Sequence, residues 1–242
     1  SGGVTGEEGI SQWSVQDSIT PGLYSLDDYD FRKPNAWLFQ ARQNNVAPQP
    51  GTVSVYDWPG RFVDHNHGDK YAKIHQERWQ VEHQQTSGTS TASAITPGHI
   101  FQLENAPFPD GNSSYTIIRA VYQFEENPYS TSDSSESVHR TDFIVIPAST
   151  PYRPEQKTPW PRTYGPQTAR VVGPDGESIW TDRYGRVKVK FHWDRESKGD
   201  DASSCWIRVS SAWAGQGVGG VQITRVGDEV VVDSSNGDQD RP

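Results

Sequence analysis

The chain has 242 residues, of which 32% are hydrophobic and 22% charged, and it carries 9 tryptophans, 10 tyrosines and 8 phenylalanines. Its formal net charge of -9 at pH 7 argues against general nucleic-acid binding, because an acidic body repels the phosphate backbone. No stretch is long and apolar enough for a transmembrane span or a signal peptide.

The charges and prolines divide the chain into two parts. Residues 1–150 hold 9 Lys+Arg and 18 Asp+Glu, whereas residues 151–242 hold 13 of each. Six prolines between Pro147 and Pro166 indicate a stiff, extended connection. We therefore predict a first domain over residues 1–150, a proline-rich linker over 151–165 and a second domain over 166–242.

Cysteine and methionine usage bear on the origin of the chain. Cys205 is the only cysteine, so no internal disulfide can form and a reducing compartment is expected. The chain has no methionine, not even at its start. We therefore expect a fragment or a processed form, with Ser1-Gly2-Gly3 as a cloning remnant.

The first domain is predicted to contain short strands and one helix, and its many rings with few aliphatic residues are typical of thin β cores. The helix is expected over Gly68–Gln85, where Tyr71, Ile74 and Trp79 recur at helical spacing and Asp69 is the candidate cap. Residues 130–137 are predicted to be a mobile loop, because they are almost entirely small and polar. Strands are expected in residues 10–31, 53–60, 87–91, 100–103, 115–122 and 143–146.

The second domain contains the clearest strand of the chain. Val187, Val189, Phe191 and Trp193 alternate with Arg186, Lys188, Lys190 and His192, so the pattern predicts a strand with an apolar face and a basic face. Further strands are expected over residues 204–210, 220–226 and 228–233. Short strands separated by glycine-rich turns favour a small antiparallel barrel or sandwich.

Two motifs in the second domain resemble catalytic or nucleotide sites, and we assign neither. Gly215, Gly217 and Gly220 have the spacing of a dinucleotide-binding loop, but a β-branched segment follows where that site needs a helix. Cys205 lies in a context similar to a papain-type nucleophile. Because it begins a predicted strand beside Ile207, we expect it to be a buried small hydrophobe.

Histidines and acidic residues do not form a recognisable metal or acid–base site. His65, His67, His75 and His83 lack the spacing of a closed zinc site, and the segment from Asp64 departs from a calcium loop at its fifth position. The neighbouring carboxylates Asp27-Asp28 and Glu125-Glu126 would point to opposite faces of a strand. We predict no catalytic residue, no cofactor and no metal.

The basic face of the strand around Lys188 leaves two interpretations open. Small barrels bind single-stranded nucleic acid through basic and aromatic residues such as Lys190 and Trp193. The same cations would otherwise be paired with nearby acidic residues between Asp194 and Asp201. Because the second domain has no net charge, we favour the paired face.

A specific family resemblance covers nearly the whole chain. Its longest motifs run from the end of the linker through the second domain, over residues 160–182, 184–194, 203–208 and 210–217. Shorter ones lie at 28–34, 76–78, 97–103, 124–127 and 139–147. With these motifs the chain resembles the VgrG spike proteins of bacterial type VI secretion. It departs from the family pattern at Thr224, Ser234, Ser235 and Gln239.

The resemblance implies a mainly β fold. The first domain would be part of the hub, a phage-tail-hub-like β-barrel domain with one helix. The second would be an antiparallel barrel of the oligonucleotide-binding (OB) type. In the family a triple-stranded β-helix needle follows, and we expect this chain to stop before it. The implied function is structural and not enzymatic: a homotrimeric hub and spike that caps the tail tube and carries effectors through the target envelope.

The resemblance also implies partners and a location. The partners would be two further copies of the protein, the hexameric tail-tube protein, baseplate proteins, and a PAAR-type tip protein and effectors bound through the needle. No nucleic acid is implied, and the target membrane would be met only by the assembled spike. The protein would reside in the bacterial cytoplasm before secretion through the type VI apparatus. The alternative functions are an OB-fold nucleic-acid-binding module and a non-catalytic part of a phage-like cell-wall hydrolase.

Overall fold

A computed structural model describes residues 8–43, 53–108, 113–125 and 138–242. It contains two compact units, Ser1–Glu155 and Gln156–Pro242. The division falls inside the linker predicted from the prolines. The loop expected at residues 130–137 lies outside the described residues.

The first unit contains eight strands and one α-helix among its described residues. In chain order these are β1 (Ile10–Asp17), β2 (Leu23–Leu26), β3 (Gln40–Gln43), β4 (Ser54–Asp57), α1 (His65–His83), β5 (Gln84–Ser90), β6 (Ile100–Gln102), β7 (Ser114–Glu125) and β8 (Val138–Pro147). A five-stranded sheet has the order β1-β5-β8-β7-β6 and is antiparallel throughout. A three-stranded sheet has the order β3-β2-β4, with β2 parallel to β4.

The core of the five-stranded sheet is built around one aromatic residue, Phe143 in β8. It is buried with Ile117 and Val145, and the ring of Trp13 from β1 packs against this cluster. Gly88 lies opposite Phe143 in the register of β5 and β8. A Cβ atom at residue 88 would come within 2.4 Å of the Phe143 ring, so the glycine allows the ring to lie flat against the neighbouring strand.

The helix packs against the smaller sheet and covers a second core. Ala72 and Trp79 on α1 are buried with Tyr24 and Leu26 of β2, and Phe62 lies in the same cluster. Strand β2 supplies this core because it is the central strand of its sheet and has neighbours on both sides. The helical spacing of apolar residues in the sequence therefore predicted the correct element.

The start of the helix differs from the prediction, because Gly68 lies inside α1 and Asp69 does not cap it. The cap is Asp64, whose carboxylate accepts a hydrogen bond from the backbone N–H of Asn66 at 2.7 Å. Asp69 instead forms an ion pair with Arg42 of β3. Gly68 is tolerated in the first turns because it packs against Phe62, where a Cβ atom would come within 2.5 Å of the ring.

We expect the two aspartates to respond differently to alanine. Asp64→Ala should lower the free energy of unfolding by about 0.5–2 kcal/mol, because it leaves a helix N–H without its acceptor. Asp69→Ala removes only an ion pair whose two side chains are nearly half exposed, and it should cost less than about 0.5 kcal/mol. Urea unfolding followed by circular dichroism measures both, and a larger loss for Asp69→Ala would contradict the capping assignment.

The second unit contains five short strands among its described residues. They are β9 (Gln167–Val172), β10 (Lys188–Phe191), β11 (Ala214–Gly215), β12 (Val218–Gly219) and β13 (Glu229–Val232), followed by a 3-10 turn at Ser235–Gly237. Strand β9 lies between β10 and β13, and β11 pairs with β12 as a hairpin. Ala169, Val171, Val187, Val189, Ile207 and Val232 form the buried core.

The strand over residues 186–193 is shorter than the alternation predicts. Val187 and Val189 are buried and Phe191 is partly buried, but regular pairing ends at Phe191. Trp193 is 61% exposed. Its ring stacks on Phe191 at 5.1 Å between centroids, and its Nε1 donates to the Gln167 side chain at 2.8 Å. The polar end of the indole thus fixes it at the surface, as is usual for tryptophan.

Two predicted strands of the second unit are wrong. The segment 204–210 contributes a single bridge, Val187 with Ile207. The segment 220–226 forms no strand, and Val221 is 84% exposed. The fold class nevertheless agrees with the prediction, since the described residues are mainly β with one α-helix. Among them, no helix is both long enough and apolar enough to cross a membrane.

Candidate interaction surfaces

The glycine motif of the second unit does not form a phosphate site. Gly215 ends β11, and Gly217 lies in the turn to β12 with a positive φ of 76°. After Gly220 the chain continues without a helix to β13. Among the described residues, no helix therefore follows these glycines, and they lie in and next to the β11–β12 hairpin rather than in a loop between the two strands predicted at 204–210 and 220–226.

Cys205 is exposed, so its predicted burial is wrong. The reason is local, because residues 204–206 do not join a strand and the side chain does not share the face of Ile207. The helix N-terminus that activates a papain-type thiolate is also missing at this position in the described part of the second unit. The thiol lies on the wall of a surface cavity of ≈ 260 Å³ that also contains Phe191 and Trp193.

The four histidines of the candidate metal set are spread over α1. His65 Nδ1 lies 2.6 Å from the Gln40 amide, His83 Nδ1 lies 2.7 Å from the Ser18 carbonyl oxygen, and His75 stacks on Tyr24. Within the described ranges, no group of three or more His, Cys, Asp or Glu residues is arranged to hold a metal ion. Glu126, from the acidic pair, lies outside these ranges.

A polar cluster lies inside the core between α1 and β2. The Tyr24 hydroxyl donates to Asp57 at 2.7 Å, and its ring stacks on His75 at 4.7 Å between centroids. Burial, then the hydrogen bond and charge of Asp57, raise the pKa of Tyr24. Burial, then the charge of Arg78, hold the pKa of His75 below its ordinary range. This combination keeps Tyr24 protonated and favours a neutral imidazole.

Because of this cluster, we expect the free energy of unfolding to fall as the pH drops below about 6.5. The unfolded chain takes up a proton at His75 near its ordinary pKa, whereas the folded chain takes it up only at lower pH. The stability is therefore fully present above that value and is lost through the window below it.

A matched pair of variants tests this expectation. His75→Gln should flatten the dependence of the urea midpoint on pH below about 6.5. His67→Gln changes an exposed histidine in the same helix and should leave the dependence as it is in the parent chain. An unchanged slope in His75→Gln would contradict the role of this imidazole.

The helix is also tied to the segment after β8 by an ion pair that the sequence pattern did not indicate. Glu77 is nearly buried, and its carboxylate accepts a hydrogen bond from Arg153 Nε at 2.7 Å. Lys73 approaches the same carboxylate at 3.9 Å. Glu77 falls in one of the short motifs, but its partner lies 76 residues away along the chain. Helical spacing alone cannot reveal such a partner.

The basic face of β10 is engaged by its own unit. Lys188 Nζ donates to the Asp201 carbonyl oxygen at 2.6 Å and lies 5.1 Å from the centre of the Trp206 ring. Lys190 donates to the Ser197 carbonyl oxygen. Such cations would have to give up these contacts to follow a phosphate backbone, so the geometry does not favour a nucleic-acid groove. The partners of the two lysines are backbone carbonyl oxygens and not the carboxylates that the prediction named.

The second unit exposes a group of apolar side chains between residues 213 and 231, which we call the C-terminal apolar group. Its members are Trp213, Val218, Val221, Ile223 and Val231, and each is more than half exposed. Scattered single apolar residues are normal on protein surfaces, whereas contiguous exposed apolar patches are typical of interaction surfaces. These five residues are the candidates for such a patch in the second unit. Val221 and Ile223 lie in the segment 220–226, which the sequence had predicted to be a strand.

Two protein families match the chain in tandem. The phage tail baseplate hub (GPD) family matches residues 1–128. The type VI secretion system/phage-baseplate injector OB domain family matches residues 167–242. Pseudomonas aeruginosa type VI secretion system spike protein VgrG1a is 42% identical over 232 residues, which is 95% of this chain and 36% of that protein. The chain belongs to the VgrG family.

Other members of the VgrG family differ in what surrounds the shared region. The actin cross-linking toxin VgrG1 of Vibrio cholerae is 35% identical over 220 residues, which is 90% of this chain and 20% of that protein. This chain thus spans about a third or less of these curated relatives. The assignment confirms the resemblance and the mainly β architecture with an OB domain.

A solved structure supports the fold of the chain. It is the E. coli c3393 protein, described as a component of the type VI secretion system with structural similarity to the T4 bacteriophage tail proteins gp27 and gp5. The match has a TM-score of 0.53 and 24% identity, and covers 73% of this chain and 42% of that chain. At 24% identity the match supports the fold only and no function.

Proposed function

We propose that the chain forms the hub and OB region of a type VI secretion spike, which caps the tail tube and carries effectors through the envelope of a target cell. The observation that supports this most is the tandem order of the hub match at residues 1–128 and the OB match at 167–242. The first unit would form part of the hub wall, and the second would form the OB part of the spike.

The assembly is proposed to be a homotrimer, and the C-terminal apolar group supports this. In an isolated OB unit, the exposed side chains of Trp213, Val221 and Val231 do not contribute to stability. Their burial between copies would be favourable at roughly 25 cal/mol per Å² of apolar area. The tail-tube protein, baseplate proteins, a PAAR-type tip protein and effectors are the proposed further partners. We also propose a cytoplasmic stage before export through the type VI apparatus.

The role proposed for this region is mechanical and does not include catalysis. The groups that chemistry would use are held in structural contacts: Tyr24 by Asp57, Glu77 by Arg153, and Lys188 by a backbone carbonyl oxygen. Nucleic-acid binding and cell-wall hydrolysis are not favoured by these contacts. A spike needs units that stay folded while it is ejected. Buried polar groups that are fully paired make a folded unit more rigid.

A chimera with a relative tests the proposal. In VgrG1a of P. aeruginosa, the aligned region would be replaced by this chain, and the mass of the product and its amount in the culture medium would be measured. We expect a trimer by light scattering and export comparable to that of VgrG1a. Val221→Asp in the chimera should keep the fold and weaken trimer formation. A folded chimera that stays monomeric and inside the cell would contradict the proposal.

A further inference from the structure

The five-stranded sheet of the first unit brings both of its edge strands to one cavity. The cavity measures ≈ 580 Å³ and is lined by Ile10 and Trp13 of β1 and by all three residues of β6. Trp13 and Phe101 from these two edges touch, with ring centroids 6.4 Å apart. The sheet is therefore curled, and its open edges face a common space, which we call the edge cavity.

The hydrogen bonds of β6 show which backbone groups face away from the sheet. Ile117 N–H donates to the His99 carbonyl at 2.9 Å, and Leu103 N–H donates to the Ser113 carbonyl at 2.9 Å. In an antiparallel pair the hydrogen-bonded residues alternate. Phe101 thus directs its peptide groups to β7, and Ile100 and Gln102 direct theirs to the open edge, where another strand can pair.

The lining of the edge cavity suits an apolar occupant that also offers hydrogen-bond acceptors. Its walls are mainly apolar and include Ile10, Trp13, Ile95, Phe101, Leu103 and Phe108. Trp13 Nε1 is buried and donates to no acceptor among the described residues. A buried indole N–H without a partner is costly. Because this N–H is closed off from solvent, the acceptors of an occupant would be used by the outward N–H groups of Ile100 and Gln102.

The charge of the edge cavity specifies its occupant further. Glu8 and Glu104 are exposed residues on its lining, and no Lys or Arg occurs among the described residues there. The neighbouring ionisable side chain is His99. Glu8 accepts a weak hydrogen bond from Ser93 at 3.3 Å, which leaves room for a second donor. The two carboxylates favour positive charges at the ends of a bound segment.

We propose that the edge cavity binds an extended apolar segment with basic flanks, supplied by a partner protein, which adds a strand to β6. Main-chain hydrogen bonds to Ile100 and Gln102 would give affinity, and the apolar wall would select alternate side chains. The site lies in the hub-matching unit and does not depend on trimer formation, so it can exist whether or not the proposed spike function holds.

The first test uses synthetic peptides with the intact chain. The probe is a heptapeptide of alternating valine and threonine with lysine at both ends, measured by calorimetry and by amide hydrogen exchange. We expect saturable binding that slows exchange at Ile100 and Gln102. Methylation of alternate peptide nitrogens should weaken it at least about tenfold, because the ladder bonds are lost. Glutamate in place of the end lysines should weaken it roughly two- to tenfold.

The second test uses variants of the open edge. Gln102→Pro removes an outward N–H without breaking a bond to β7, as proline on an edge strand can, and it should weaken peptide binding about tenfold. Gln102→Ala keeps the N–H and should bind like the parent chain. Glu8→Gln with Glu104→Gln should remove the preference for lysine over glutamate ends. If Gln102→Pro does not fold, the methylated peptide decides the same question.

Three outcomes would overturn the proposal. The first is the absence of saturable binding to the lysine-ended peptide. The second is equal affinity for the methylated peptide, which would leave the β6 edge without a role. The third is self-association of the unliganded chain that the peptide merely reverses, since the occupant would then be a second copy. Trimer formation in the chimera is a separate measurement, so the two proposals can fail independently.

Discussion

Phe143→Ala is expected to lower the free energy of unfolding of the chain by about 3–5 kcal/mol. Phe143 is 2% exposed, and its ring lies 6.3 Å from the Trp13 ring and 6.2 Å from the Phe101 ring. The truncation leaves a cavity that neighbouring strands cannot close, because Gly88 offers no side chain on the opposite strand. The loss would appear in urea unfolding followed by circular dichroism.

Phe124→Ala is the matched control for Phe143→Ala. Phe124 occupies β7 of the same sheet but is 73% exposed, and it stacks between Tyr122 and His139. Removing an exposed stacked ring should cost at most about 1.5 kcal/mol. Similar losses for the two variants would mean that the aromatic cluster around Phe143 is not the core of this sheet.

The fold of the first unit could largely be predicted from sequence, and the helix start shows the limit. Runs of β-branched and aromatic residues predicted strands at residues 115–122 and 143–146, and both lie within observed strands. Gly68 misled the prediction because glycine usually interrupts a helix. Its fit against Phe62 is a tertiary contact, which a local pattern does not contain.

The second unit was harder to predict, because alternation alone cannot show whether a strand has a partner. Val221 and Ile223 alternate with polar residues as in a half-buried strand, yet both are exposed in unpaired chain. A surface that binds another protein chain can carry the same pattern as a sheet interior. The pattern of Val221 and Ile223 therefore led to a predicted strand that the structure does not contain.

The candidate surfaces also include one feature that the sequence predicted and one that it did not. The absence of a helix after Gly220 was predictable from β-branched residues that follow the motif. The edge cavity was not, because it arises from the curl of a sheet that brings Trp13 next to Phe101. Sheet twist and curl depend on packing across the whole sheet. The unusual number of aromatic residues was the available signal in the sequence, although it does not give their positions.

Val189→Asp is expected to unfold the second unit or to cost more than about 4 kcal/mol. Val189 has no exposed surface and lies in β10 against β9, within the cluster of Val171, Val187 and Ile207. A carboxylate there loses its hydration, and the apolar neighbours offer no compensating cation. Either it stays charged at a large cost, or it takes up a proton, and both outcomes destabilise the folded unit at neutral pH.

Val231→Asp places the same new charge on the same three-stranded sheet, but on the outside. Val231 is 71% exposed in β13, so the carboxylate keeps its water and the free energy of unfolding should change by less than about 0.5 kcal/mol. Urea unfolding monitored by tryptophan fluorescence would separate the two variants by their midpoints. Because Val231 belongs to the C-terminal apolar group, this folded variant should also weaken trimer formation in the VgrG1a chimera. A midpoint for Val231→Asp as low as that for Val189→Asp would place Val231 in the core and remove it from the proposed contact between copies.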